Sequence, residues 1–343
     1  MTYATGVGSM PGEDIDEAVR TVIGELPDLP HLPELPARGA GATMTGRGVA
    51  LCAELAFDLQ PAGWRLTGAA GMDQRRAQSL LARDLDALEE QMQGYSGPLK
   101  VQVVGPWTLA ATVERPRGDR ALADVGARRE LAQALAYGVT SHIGDVRRRV
   151  PGATLVVQVD EPALPAVLAG SIPTASGFHR HRSVDIPLAS EALSWVFSSI
   201  AVAGATPVAH CCAADIPIGL LRGAGAQAVS VDLSVLSAVA LDELGTALDA
   251  GESAYLGVVA SVDASLSGLS GSLSGSRPGL SGSLSGERPV VERVLRTLDM
   301  LGFDPAEVAD RLVLTPTCGL AGASGPYVRT VLPLLRRAAA ALS

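Results

Sequence analysis

Short runs rich in Val, Leu and Ala alternate with amphipathic stretches from one end of the chain to the other, the pattern of a parallel sheet with crossover helices. Strands are expected at 3–9, 99–104, 154–159, 206–212, 228–231, 254–259 and 312–315. The stretch 29–34 is interrupted by prolines and is a poor strand by pattern, yet it would complete a set of eight. Apolar residues at helical spacing predict helices over 14–25, 73–93, 127–150, 189–203, 240–250, 289–301 and 325–342. The strands are apolar almost throughout, as strands buried on both faces are. An α/β fold follows, a single (β/α)8 TIM barrel over 1–343 in preference to an open doubly wound sheet. The glycines after the first run, Gly6, Gly8 and Gly12, do not match the dinucleotide-binding fingerprint.

One segment breaks the alternation. Residues 265–286 repeat Ser-Leu-Ser-Gly and Gly-Leu-Ser-Gly units, a low-complexity insert expected to be flexible. It follows the seventh expected strand, on the barrel face that carries active sites, where it reads either as a lid or as a tolerated surface expansion.

Of the 343 residues, 47% are hydrophobic and 18% charged, which excludes a largely disordered chain. The 36 acidic residues outnumber 27 basic ones for a net charge of −9, and Lys100 is the only lysine. No basic stripe is present, so a nucleic-acid partner is not expected. The start, Met1-Thr2-Tyr3-Ala4-Thr5, lacks the features of a secretory signal, and a cytoplasmic location is expected. The most apolar stretch, 196–214, is interrupted by Gly204 and Pro207 and contains His210, so it reads as helix, turn and strand and no membrane association is expected. Oligomeric state is not legible.

Four cysteines are too few for a disulfide scaffold of this length and suit thiols or metal ligands. In Ala209-His210-Cys211-Cys212-Ala213, strand alternation puts His210 and Cys212 on one face and Cys211 on the other. Cys318 follows the last strand and Asp232 ends the strand after His210, so all four candidate ligands would meet at one barrel mouth, as a zinc site requires. A His-x-Cys pair also serves as satisfied core residues, and spacing alone does not choose between them. Cys52 and Cys211 read as packing residues.

Three further strand ends carry polar groups. Gln158-Val159-Asp160-Glu161-Pro162 places consecutive carboxylates where a polar pocket is expected, and Asp160 suits a substrate ammonium. The same run is also ordinary turn and helix-start chemistry. Gly8-Ser9-Met10-Pro11 offers close backbone approach at Gly8 and a hydroxyl and N–H at Ser9. Glu34 and Arg38 in the second loop suit either a ligand or a surface turn.

Taken in order, Gly6-Val7-Gly8-Ser9-Met10-Pro11, Gly105-Pro106-Trp107-Thr108, Gln158-Val159-Asp160-Glu161-Pro162-Ala163, His210-Cys211-Cys212 and Cys318-Gly319-Leu320 resemble the catalytic C-terminal barrel of the cobalamin-independent methionine synthase family, in its short form. The resemblance implies a cytoplasmic zinc methyltransferase of methionine biosynthesis that takes homocysteine, or a similar small thiol, as a thiolate. By motif position His210, Cys212 and Cys318 become zinc ligands. The family's glutamate ligand falls on Asp232, one methylene shorter. Ser9, Gly8, Glu34 and Asp160 fall at the amino-acid-binding positions, and Asp160 carries the catalytic role.

Three departures bear on the methyl donor. The chain leaves no room for the N-terminal barrel that helps to bind folate in long members. The tryptophan that stacks on the pterin falls near Thr112, with Trp107 in a different register. The proton-donating histidine after strand seven has no counterpart in Val259-Ala260-Ser261-Val262-Asp263. The expected donor is therefore a methyl-corrinoid protein or another activated methyl compound in place of methylfolate. Two rival readings are a related zinc-barrel methyltransferase for another thiol, and a non-catalytic barrel that binds a metal or thiol.

Overall fold

The structure is a computed structural model that describes residues 1–263 and 286–343. Nearly the whole low-complexity stretch 265–286 lies outside the described residues. Nine strands are present among the described residues: β1 (Tyr3–Ala4), β2 (Ala56–Gln60), β3 (Gly63–Thr67), β4 (Gly97–Val104), β5 (Ala153–Asp160), β6 (Thr206–Cys211), β7 (Ala228–Asp232), β8 (Ser253–Val259) and β9 (Leu312–Pro316). Seven form one parallel sheet in the order β1-β9-β8-β7-β6-β5-β4. Its two edges, β1 and β4, are both bridged by 29–34. Ser9 pairs with Glu34 and His31 with Lys100. Glu34 N donates to Gly8 O, Leu32 N to Lys100 O and Lys100 N to Pro30 O. The proline-broken segment thus takes the eighth position and closes the barrel, although only isolated bridges hold it, because prolines 30, 33 and 36 cannot donate to a ladder.

Alternation along each strand separates two cores. In β5, Leu155, Val157 and Val159 join the large apolar cluster between sheet and helices, while Val156 belongs to a smaller one with Leu29, Val208, Ala228, Tyr255 and Val313. That second cluster fills the barrel towards the strand starts. On the same inward face, nearer the strand ends, stand Lys100, Gln102, Gln158, Asp160, His210 and Ser230, all buried. The barrel interior is therefore apolar below and polar above, and the polar tier underlies the site.

The long helices lie close to their expected positions, at Ile15–Glu25, Met72–Gln91, Val125–Arg149, Ile186–Val202, Ala238–Asp249, Arg288–Leu301 and Gly325–Leu342. Side-chain caps set several starts: Asp14, Asp124, Ser237 and Ser324 each accept a backbone N–H from the first turn. The antiparallel β2–β3 hairpin is an addition that the pattern did not announce. Among the described residues no helix is long and apolar enough to cross a membrane.

Candidate metal centre

β6 carries His210 into the barrel and buries Cys211 in the outer core, as alternation requires. Cys212 follows at the strand end, and Cys318 arrives on the loop after β9. The ligand atoms of His210, Cys212 and Cys318 all lie within 4.8 Å of one another. Their two sulfurs are 3.5 Å apart. That is far beyond a disulfide bond of about 2.05 Å. It approaches the separation of about 3.8 Å that two thiolates reach across a tetrahedral zinc ion with bonds of about 2.3 Å.

The imidazole adds an independent sign. His210 Nδ1 is 2.9 Å from Ser230 Oγ, whereas Nε2 is buried without a hydrogen-bond partner among the described residues. Leaving a buried polar atom unpaired costs about 1–3 kcal/mol. A metal-ligating histidine has this arrangement, one nitrogen held by a neighbour and the other free for the ion. The residues present therefore fit zinc. The thiols are already polarised: a hydrogen bond from Cys318 holds Cys212 below the ordinary thiol range, while the same bond and burial push Cys318 up against the opposing pull of the neighbouring His210 imidazole. Cys211 is pushed up to about 12 by burial.

Asp232 lies at the end of β7 but outside that three-residue group. Its Oδ1 accepts from Ser234 N at 2.8 Å and Ser234 Oγ at 2.6 Å. Burial raises its pKa, against the opposing pull of those bonds and of His210.

The expected amino-acid-binding residues gather on the adjoining strand ends. Asp160 is the sheet partner of His210 and is buried. Burial raises its pKa to about 6, with His210 and Lys100 opposing and Glu34 reinforcing the shift. Its Oδ1 accepts from Gln158 Nε2 at 2.7 Å. Glu34 is fixed by Arg47 Nε at 2.9 Å, and Arg47 in turn meets Asp84 together with Arg38. Ser9 O accepts from Leu320 N at 2.7 Å, and a Cβ on Gly319 would fall 2.0 Å from Ser9 Oγ, so Ser9 sits against the loop that carries Cys318. At Gly8 it is the chain itself that comes close, since a Cβ there would fall 2.8 Å from the Gln102 side chain.

Glu161 serves a different end. Fully buried, it accepts from Trp107 N and Thr108 N, both at 2.8 Å, and from Thr108 Oγ1 at 2.7 Å. It thereby caps the helix Pro106–Thr112 from the next strand. Trp107 is buried and donates Nε1–H to Ala189 O at 3.0 Å, which makes it a packing residue. Sequence reasoning missed Ser230 and Arg47 as partners of site residues, and the place of Lys100 beneath them. A single lysine inside the apolar run 99–104 was the one available signal.

No family model matches the chain, and no curated protein matches it by sequence. Among solved structures, the B12-independent methionine synthase from Shewanella sp. W3-18-1 in complex with selenomethionine is similar, with a TM-score of 0.62 at 12% identity. The match covers 99% of this chain and 97% of that one. A 2,3-dimethylmalate lyase of the PEP mutase/isocitrate lyase superfamily aligns with a TM-score of 0.38 at 11% identity, over 95% and 79% of the two chains, too distant to bear on function. At such identities the likeness to the synthase establishes a shared fold.

Proposed function

We propose that the chain is a zinc-dependent S-methyltransferase that methylates homocysteine to give methionine. The observation that carries the reading is the convergence of His210, Cys212 and Cys318, the two cysteines 106 positions apart, at the C-terminal mouth of a barrel shared with a methionine synthase. Zinc held by these residues would supply the Lewis acidity that keeps a bound thiol deprotonated near neutral pH. The chain's own groups do the rest. Asp160 has Oδ1 engaged by Gln158, and its other oxygen would accept from an ammonium. Ser9 offers its hydroxyl and N–H to the substrate carboxylate. Glu34, anchored by Arg47, stands beside Asp160 as a second acceptor for the ammonium. Gly8 contributes by admitting Gln102, which braces this wall. Held in this way, the sulfur attacks the methyl carbon in line. The new S–C bond forms as the old bond breaks, and its electron pair leaves on the donor.

The donor proposed is a methylated corrinoid protein. A methyl group on a folate nitrogen is a poor leaving arrangement without protonation. The histidine expected for that task is missing from 259–263, where Asp263 instead meets Ser324 Oγ at 2.6 Å. Nor does buried Trp107 offer a face for a pterin. Single-turnover assays with homocysteine and each donor test the reading: methionine is expected from the methyl-corrinoid protein, and efficient use of methyltetrahydrofolate would overturn the donor assignment. A zinc-loaded protein inert to every donor would favour the non-catalytic rival.

A further inference from the structure

Lys100 lies in the middle of β4, inside the barrel, and is fully buried. Its ammonium donates to Val7 O at 2.8 Å, to Gln158 Oε1 at 2.9 Å and, at 3.4 Å, to Gln102 Oε1. No carboxylate among the described residues touches it, which is unusual for a buried cation. The carboxylate that compensates it lies one hydrogen bond further on: Gln158 Nε2 donates to Asp160 Oδ1 at 2.7 Å, and also to the Val7 carbonyl at 2.8 Å.

From this chain of bonds we infer that Lys100 is a positioning residue that, through Gln158, fixes the Asp160 carboxylate to receive the ammonium group of an amino-acid thiol. An ammonium is donor-only, so whatever it meets must present an acceptor. Lys100 therefore forces the Gln158 amide to turn its oxygen down and its NH2 up, towards Asp160. Without the lysine the amide oxygen has no donor, the orientation rests only on the two bonds from Nε2 to Val7 O and Asp160 Oδ1, and an amide oxygen turned towards Asp160 would repel its ionised form. Lys100 sets the second amide in the same way. With Oε1 turned to the ammonium, Gln102 Nε2 donates to Leu32 O at 2.7 Å and ties down the closing segment that carries Glu34. One buried cation thus orients the Asp160 carboxylate and steadies the segment that carries Glu34, without touching either.

This inference rests on the amino-acid-thiol reading above, and its test separates the two. Cobalt-substituted protein gives a sulfur-to-metal charge-transfer band that reports thiol binding without any methyl donor. L-homocysteine is compared with 4-mercaptobutanoate, which lacks only the ammonium. Two variants are used: Lys100→Met, and Gln158→Glu, which keeps side-chain volume and an acceptor for Lys100 but removes the N–H to Asp160. Each variant that retains a full complement of metal is expected to bind homocysteine at least tenfold more weakly and the des-amino thiol within twofold of wild type. Equal weakening of both thiols, or unchanged selectivity, overturns the relay. Wild-type protein that binds the two thiols equally overturns the amino-acid reading itself. Should Lys100→Met not fold, Gln158→Glu alone decides between the same outcomes.

Discussion

At the residue scale the site is a set of distant side chains delivered by strand ends. If the three-residue group holds the metal, Cys318→Ser lowers bound zinc well below one equivalent, whereas Asp232→Ala, which removes a carboxylate already engaged by Ser234, retains most of it. Metal analysis of the two purified variants checks the contrast. A second expectation concerns His142, buried in the helix Val125–Arg149, whose pKa falls to about 3 through burial first and then the positive charges of Arg47 and Arg149. Its folded value lies below the ordinary 6.5, so between those pH values the unfolded chain binds more protons and stability falls as pH drops from about 6.5 towards about 3. His142→Leu is expected to flatten that loss by up to about 1.4 kcal/mol per pH unit. Urea midpoints at pH 7 and pH 5 measure it, and parallel slopes for variant and wild type would contradict it. His210, Cys212, Cys318 and Asp160 could be singled out because each stands at or just beyond the end of a readable strand with a chemically distinctive side chain. Ser230, Arg47 and Lys100 were not, because their parts depend on partners far along the chain that no local pattern reveals.

At the scale of elements, the strongly periodic helices and the other apolar strands were legible to within a few residues, whereas the first strand, expected at 3–9, pairs only over Tyr3–Ala4 and continues through an isolated bridge from Ser9 to Glu34. The exceptions have physical causes. Segment 29–34 holds its place through Gln102 and a few backbone bonds in spite of its prolines. The β2–β3 hairpin packs Phe57 and Trp64 on one side only, and the pair is too short for its alternation to stand out. The helix Pro106–Thr112 has only seven residues and takes its cap from Glu161 on another strand's loop. That cap needs Gly105, where a Cβ would fall 2.3 Å from the Glu161 carboxylate carbon. Gly105→Ala should therefore displace the carboxylate and cost about 1–3 kcal/mol, as overpacking does, read as a lower urea midpoint with unchanged slope. Stability equal to wild type would show that Glu161 is not held as described.

At the scale of the whole molecule, the barrel stacks an apolar floor, a polar tier that contains Lys100 and a mouth where His210, two thiols and carboxylates meet. The apolar floor was implicit in the strands, whereas the polar tier emerges only when β4, β5 and the closing segment face one another. A chain with a net charge of −9 suits a small acceptor drawn in by local contacts rather than by long-range attraction of an anion. Zinc-edge X-ray absorption on the purified protein, before and after addition of homocysteine, bears on the proposed centre without any intermediary. About one zinc per chain is expected, with two sulfur neighbours from Cys212 and Cys318, rising to three when the thiol binds. Protein without metal, or a sulfur count that homocysteine leaves unchanged, would contradict it.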